Sequence, residues 1–346
     1  MKYNSAAVIL NYNGVHFLEK FLPNVLENTS EKTEVVVVDN ASTDNSVKFL
    51  QEHYPSLRLI VLPKNYGYAG GYNYGLATLG YEFFILLNSD IEVTKNWDIP
   101  LINRLESEHH ITACQPKILA YDNKSYFEYA GGSGGFIDRE YFPFCRGRIF
   151  GELEQDLGQY DNAREVFWAS GACFAIKSWA FHKAKGFDED FFAHMEEIDL
   201  CHRLKNMGHK IYVEPKSVVY HVGGGTLAMM SPFKTFLNYR NGLSLLVKNY
   251  PYSDFKFILF KRLLLDGLSA INFVLRGIPR HAIEIYKAHR AFFKDWKLVL
   301  DKRERLQEEH KDVNRTGVFN GSAIWMYFVS RKRKFGKFPT RRFVNE

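Results

Sequence analysis

The feature that most constrains this chain is a set of four short apolar runs: "AAVIL" (6–10), "EVVVVD" (34–39), "RLIVL" (58–62) and "EFFILLN" (82–88). Each is too short for a stable helix of its own, and an unbroken apolar run suits a strand buried on both faces. Amphipathic stretches of helix length, such as "NSVKFLQEHY" after Asp44, separate them. Strands alternating with helices imply an α/β domain with a mostly parallel sheet flanked by helices.

Ligands of such sheets sit beyond the carboxyl ends of the strands, near a switch in strand order. Asp39 follows "VVVV" and Asp90 follows "FFILLNS". Both carboxylates are therefore predicted on one ligand-binding rim, against the plainer reading that they begin turns or cap helices. For Asp44 the capping reading is preferred, because a helix starts there. Residues 121–163, with "YAGGSGGFIDR", are glycine-dense and are read as outside the core, either a flexible linker or a mobile loop over the active site. "REVFWASGACFAIK" (164–177) returns to strand composition, and its small residues Ala169 to Ala172 permit close backbone approach.

The stretch "GFDEDFFAHMEEIDLCHR" (186–203) holds six acids within twelve positions, interleaved with aromatic and aliphatic side chains. Carboxylates pressed against apolar groups and one another resist ionisation, which suits a general base. Glu196 and Glu197 carry that expectation. Asp199 stands at i,i+4 spacing from Arg203 and is expected to pair with it. His221, in "VVYHVGGGT", lies between a strand-like run and three glycines. It is either a structural turn histidine or an imidazole that completes a carboxylate cation site.

The formal net charge is +6, and the last sixteen residues, "RKRKFGKFPTRRFVNE", hold seven basic groups and one acid. The remainder is neutral on balance, and no nucleic-acid-reading module accompanies the basic segment, so nucleic acid is not an expected partner. Four cysteines without Cys-x-x-Cys spacing read as reduced, buried thiols rather than a zinc site. The N-terminal apolar run is too short for a signal-peptide core, and no stretch of spanning length occurs, so a cytoplasmic protein is expected. Beyond residue 229 helices are predicted, starting at Ser231-Pro232. In 254–277, Lys261, Arg262, Asp266, Ser269, Asn272 and Arg276 share one arc, and the rest is almost all apolar. That helix is expected either to pack on the catalytic domain or to lie in a membrane interface. With Phe292, Phe293, Trp296 and the basic tail nearby, an anionic membrane surface is the preferred partner.

Seven motifs in order, "VILNYNG", "VVVVDNASTDNS", "NYGYAGGYNYGL", "LLNSDIEV", "ASGACFAIK", "GFDEDFFAHMEEIDLCHR" and "HVGGGT", resemble bacterial family 2 glycosyltransferases over about residues 4–226. The overall pattern is similar to the rhamnosyltransferase-like enzymes that build surface polysaccharides. The resemblance implies a GT-A fold: a Rossmann-like sheet flanked by helices, here with a C-terminal helical extension. It implies a catalytic domain over 1–228, with nucleotide-sugar binding in about 1–120 and the acceptor part in about 121–228. A helical, membrane-associating extension (229–330) and a basic tail (331–346) would follow. The implied reaction moves a sugar, with inversion, from a UDP- or dTDP-sugar to a saccharide acceptor that is lipid-linked, using Mg or Mn, at the inner face of the plasma membrane.

Residue by residue, Asp39 matches the base-reading position and Tyr12 the loop packing against the base. Asn65 and Asn88 fall in motifs that contact the nucleotide-sugar. Asn88 and Asp90 also match the metal motif, with Asn in the first place, which leaves Asp90 as principal ligand. His221 matches a later metal or diphosphate ligand. Glu197 takes the place of the base, usually Asp in a Glu-Asp pair, with Glu196 beside it. Two other readings stay open. A nucleotidyltransferase would need a glycine-rich basic loop where the chain has "LNYNGVHFLEK". A non-catalytic saccharide-binding or scaffold protein would not require the acids Asp39, Asp90, Glu196 and Glu197.

Overall fold

The computed structural model describes residues 3–223, 231–309 and 313–344, so 224–226 of the "HVGGGT" motif lie outside the described residues. The four apolar runs are strands. β1 (Ser5–Asn11) leads into α1 (Val15–Asn28), β2 (Thr33–Asp39) into α2 (Ser46–His53), and β3 (Arg58–Val61) into α3 (Gly67–Leu76). β4 (Phe83–Asn88) is followed by β5 (Ile91–Val93) and α4 (Asp98–Ser107). Leu18, Leu22 and Val25 of α1 pack with Leu101 and Leu105 of α4 on one face of the sheet. Ala69, Tyr72 and Leu76 of α3 cover the other. This two-sided cover is why β2 and β4 are apolar without alternation.

After β6 (Ile111–Ala120) the chain makes β7 (Gly135–Asp138), β8 (Pro143–Cys145), β9 (Arg148–Ile149) and β10 (Glu152–Leu153). It then runs through β11 (Arg164–Val166), β12 (Cys173–Lys177), α5 (Ser178–Lys183), α6 (Glu196–Asn206) and β13 (Lys210–His221). The main sheet has the order β11-β13-β6-β12-β4-β1-β2-β3, with β5 on β13. β1 lies parallel between β2 and β4, and its register sets Asn11 opposite Asp39 and Leu10 opposite Asn88. The polar strand ends therefore form one row at a switch in strand order, where a ligand crevice opens. The sheet is parallel through β3-β2-β1-β4 and mixed beyond, because β12 runs antiparallel to both β4 and β6. β12 enters from the small-residue turn before it rather than from a helical crossover, which a parallel strand would need.

Two expectations are corrected. Residues 121–163 are not outside the core: Phe127, Phe136, Ile137, Phe144 and Ile149 are buried. Their glycines serve close packing. A Cβ on Gly135 would stand 2.1 Å from the Trp168 ring, and one on Gly147, at φ +89°, would stand 2.3 Å from Phe127. The terminal basic segment is not a free tail either. β14 (Val318–Phe319) pairs with β7 to complete a second sheet of order β10-β9-β8-β7-β14. Phe335 and Phe338 are buried against it, and the Phe343 ring lies 5.4 Å from that of Phe136. The phenylalanines between the basic residues anchor the segment.

The C-terminal helices are α7 (Pro232–Asn249), α8 (Phe255–Leu275), α9 (Pro279–Lys294) and α10 (Trp296–Glu309). Ser231 and Pro232 do begin α7, although the Ser231 hydroxyl makes no capping bond. In α8 the centre of the polar arc turns inward: Arg262 and Asp266 are buried, whereas Lys261, Asn272 and Arg276 of that arc stay exposed, as do Phe260, Leu264 and Leu268.

Candidate active site

Strand pairing assembles one half of the site. β5 runs antiparallel to β13 with Ile91 opposite His221, so the imidazole arrives beside Asp90. His221 Nε2 lies 3.2 Å from Asp90 Oδ1 and 3.4 Å from Asn88 Nδ2. The Val222 amide donates to the Asp90 carbonyl at 3.1 Å, fixing the two backbones. On the other side of the ring, His221 Nδ1 lies 3.3 Å from Glu128 Oε2, and the Ala130 amide donates to that carboxylate. Asp90, Glu128 and His221 are all buried. Burial alone would lower the imidazole pKa, but the two carboxylates outweigh it and raise it to about 10.

Glu128 was not legible as a site residue. It sits in "YFEYAGG", read as loop, and only a bridge between Leu119 and Phe127 brings it to the edge of β6, whose Ala120 pairs with His221. Lys234, on the first turn of α7, lies in the same field: burial lowers its pKa, while Glu128 and Asp90 oppose that shift.

Asn88, Asp90 and His221 Nε2 converge on one point, with Glu128 behind the ring. Among the described residues no group of three or more His, Cys, Asp and Glu side chains is arranged to hold a metal ion. A small set of ligands still fits Mg or Mn, which keep several waters and bind through one or two carboxylates plus substrate phosphates. The Asn88 side-chain amide can turn to present its oxygen to the same point.

The other half of the rim is a polar lattice. Asp39 is fully buried; Oδ2 accepts from Asn11 Nδ2 at 2.9 Å and from Ser42 Oγ at 2.6 Å, and Oδ1 accepts from the Ser42 amide at 2.8 Å. Three of about four acceptor sites are thus engaged, leaving roughly one for a ligand. Tyr12 lies in the adjoining turn with its side chain exposed. Asn65 Oδ1 accepts from Asn40 Nδ2 at 3.0 Å and from the Gly67 amide at 2.8 Å, organising the turn into α3. Asp44 caps as expected, accepting from the Ser46 amide at 2.9 Å and also from the Val15 amide at 3.1 Å.

The acid pair opens α6. Glu196 is buried and Glu197 half-buried, and Oε2 of each has no hydrogen-bond partner among the described residues. Burial pushes Glu197 up to about 7; burial and then the charge of Glu197 raise Glu196 well above the usual carboxylate range. The segment Gly171–Ala172 links this pair to the rim. Ala172 accepts from the Asn88 amide at 3.0 Å, and a Cβ on Gly171 would lie 3.7 Å from the Glu197 Cβ. Tyr68 Oη donates to the Gly171 carbonyl at 2.6 Å. Asp199, by contrast, is a structural anchor: Arg203 Nε donates to it at 2.8 Å, as its spacing predicted, and Lys248 and Asn249 add bonds at 2.9 and 2.8 Å.

The backbone just ahead of the pair is strained. Phe192, His194 and Met195 have φ of 62°, 69° and 74°, which bulky residues seldom adopt. Asn241 of α7 holds this stretch, with Nδ2 2.9, 2.8 and 2.7 Å from the carbonyls of Phe191, Ala193 and His194. Neither the strain nor the clamp has a signal in the sequence, because nothing marks Asn241 out among the many polar residues of α7.

Residues 6–164 match the family described as glycosyl transferase family 2. The chain is 27% identical over 253 residues to the N-acetylglucosaminyl-diphospho-decaprenol L-rhamnosyltransferase of Mycobacterium tuberculosis, covering 63% of this chain and 76% of that relative. Among solved structures, GalNAc-T7 with UDP, GalNAc and Mn2+ superposes with a TM-score of 0.60 at 17% identity, covering 95% of this chain and 57% of that one. S. aureus TarS 1–349 in complex with UDP-GlcNAc gives a TM-score of 0.54 at 16% identity, covering 88% of this chain and 91% of that one. The common architecture is the GT-A fold.

Proposed function

We propose that this chain, a member of glycosyl transferase family 2, transfers a sugar from a UDP- or dTDP-sugar to a lipid-linked saccharide, with inversion, in surface polysaccharide or cell-wall assembly. The observation that carries the reading is the Glu197 carboxyl, poised near neutrality and joined through Gly171–Ala172 to the rim that bears Asn88, Asp90 and His221. The M. tuberculosis relative is named for an acceptor of lipid-linked diphosphate type, which supports the acceptor class.

In this reading Tyr12, Asp39, Asn65 and Asn88 line the nucleotide side of the crevice. Asp90 and Asn88 would hold Mg or Mn against the donor diphosphate, and His221 would join them through Nε2 once that nitrogen gives up the proton that the two carboxylates otherwise favour there. When bound, the cation offsets the charge that builds on the departing nucleoside diphosphate. Glu128, 3.3 Å from Nδ1 as a charge contact without hydrogen-bond geometry, supports the imidazole from behind and leaves Nε2 toward Asp90.

Glu197 accepts the proton of the acceptor hydroxyl as that oxygen bonds to the anomeric carbon and the bond to the donor phosphate breaks. Such a base contributes ~10²–10⁴-fold. Glu196, more deeply buried, has its ionisation disfavoured by burial and by the charge of Glu197, so the pair favours a single charge. Greater access to solvent favours Glu197 over Glu196 as the proton acceptor.

A lipid-linked acceptor brings the reaction to an anionic membrane surface, at the inner face of the plasma membrane. No helix among the described residues is long and apolar enough to cross a membrane. The nucleotidyltransferase alternative is disfavoured, because the β1–α1 turn "NYNGVHF" holds no lysine or arginine to cradle a triphosphate.

The test is turnover of a panel of UDP- and dTDP-sugars with and without Mn or Mg, using the wild-type chain and Glu197→Gln. Metal-stimulated release of UDP or dTDP that Glu197→Gln loses is the expected result. Pyrophosphate release from a nucleoside triphosphate, without any nucleotide-sugar turnover, would overturn the reading.

A further inference from the structure

α8 buries a polar pair and leaves an apolar stripe outside: Arg262 Nε lies 3.3 Å from Asp266 Oδ1, and Asp266 Oδ2 lies 3.1 Å from His289 Nε2 on α9. The Arg262 guanidinium also donates to the Tyr141 carbonyl at 3.2 Å and stacks 3.6 Å from the centre of the Phe142 ring. Ser269 bonds the Tyr239 hydroxyl. The opposite stripe, Phe257, Phe260, Leu264, Leu268, Ile271 and Leu275, recurs at steps of three and four residues, and each member is at least 55% exposed. Rolling the helix to hide this stripe would expel a buried, hydrogen-bonded ion pair together with the buried Ile258 and Leu259, so polar bonds and apolar burial fix the orientation together.

A contiguous apolar face of this kind marks an interaction surface. Its charge identifies the occupant. Lys256, Lys261 and Arg276 flank the stripe and are exposed, and the only acid of α8, Asp266, is buried. A second patch adjoins it across the β7–β8 turn. Asp138 accepts from the Ala323 amide at 2.7 Å and the Arg139 amide donates to Gly321 at 3.2 Å, while the other side of the turn receives Arg262. Beyond it Trp325, Phe328 and Val329 are 60%, 61% and 56% exposed, and the run Arg331 to Lys334 follows directly, also exposed.

We infer that the outward face of α8, with the Trp325–Val329 turn and its basic flank, is seated in the interfacial layer of an anionic membrane. Apolar side chains enter the acyl boundary, and lysines and arginines meet the headgroups; stable attachment needs both kinds of contact. An isologous contact between two copies would set these cations against themselves, which disfavours a dimer through this face. The inference deepens the reading of a lipid-linked acceptor and rests on it for its purpose, while the surface itself stands on the geometry of α8.

The experiment is co-sedimentation of the full chain with vesicles of phosphatidylcholine alone or with phosphatidylglycerol, without donor or acceptor, at low and high salt. Donor hydrolysis in free solution is measured in parallel, so failure of the enzymatic reading is seen separately. Binding to the anionic vesicles, weakened by salt, is expected. Leu264→Glu/Leu268→Glu should weaken it at least tenfold, with folding and donor hydrolysis unchanged. Lys256→Gln/Lys261→Gln, which leaves the apolar stripe intact, should lower binding severalfold and reduce its salt dependence. Full-length protein that stays in the supernatant at low salt overturns the inference, as does undiminished binding by the Glu double variant. Self-association in sedimentation velocity that the same variant abolishes, without vesicle binding, assigns the face to a second copy and overturns it too.

Discussion

Asn241 Nδ2 on α7 lies 2.7 Å from the carbonyl oxygen of His194, two residues ahead of Glu196. One buried amide of the helical extension therefore clamps the left-handed backbone just ahead of the acid pair, and in the proposed reading α7 supports the site. Asn241→Leu leaves the carbonyls of Phe191, Ala193 and His194 without this donor, at a cost of about 1–3 kcal/mol in stability. Relaxation of the strained stretch should lower kcat on the order of 10–100-fold, because small displacements of a catalytic group are costly. KM for the donor should change little, since the nucleotide rim is built from other elements. Steady-state kinetics with a melting curve checks this; equal losses in kcat and donor affinity would make Asn241 merely structural.

The second prediction concerns pH. Burial holds the Glu197 carboxyl at about 7, above its ordinary value of 4.5. In its proposed role as base it must be ionised, so kcat/KM should rise with pH and level off above about 7. The sign for stability is opposite. The folded state binds this proton more tightly than the unfolded chain, so the contribution is fully present below pH 4.5 and is lost as pH rises through about 7. Glu197→Gln, neutral throughout, should therefore be inactive yet more stable than wild type at pH 8, by roughly 1–2 kcal/mol. Urea titrations at pH 5 and pH 8 measure both limbs. An active Glu197→Gln beside an inactive Glu196→Gln would move the base by one residue.

The strands that form the rim were legible because each side of the argument is local: apolar runs, then a carboxylate. Asp39 and Asp90 stand on one edge for that reason, and Asp199 pairs with Arg203 because i,i+4 spacing is a property of one helix. What was hidden depends on contacts distant in sequence. Glu128 becomes a neighbour of His221 only when β6 and β13 pair, and glycines that look like linkers prove to be sites of ring packing. The polar arc of α8 was visible, but its direction was not, since periodicity defines two faces without saying which is inside. His289, which holds Asp266 from the next helix, decides it.

Asp90→Ala tests the cation side of the crevice. Calorimetry of UDP or dTDP with and without Mn should show metal-dependent tightening in the wild-type chain and none in the variant, with the fold intact by circular dichroism. Loss of transfer should accompany it, because the departing diphosphate is left without the charge that offsets its own. Metal dependence that survives the substitution would remove Asp90 from the site.

Glu128→Gln probes the support behind the imidazole. The carboxylate sits 3.3 Å from His221 Nδ1 while Asp90 lies 3.2 Å from Nε2, so the ring is held between two anions. An amide at 128 can still accept through its oxygen, but it no longer polarises the ring, and outer partners of this kind typically account for about 10–100-fold in metal affinity. The Mn concentration for half-maximal turnover should therefore rise by about that factor, with kcat largely recovered at saturating Mn. Glu128→Ala, which removes the acceptor altogether, should be worse on both counts. A shift of the same size in donor KM at saturating Mn would mean that Glu128 shapes the crevice generally instead of acting through His221. An unchanged Mn requirement in both variants would detach Glu128 from the cation site.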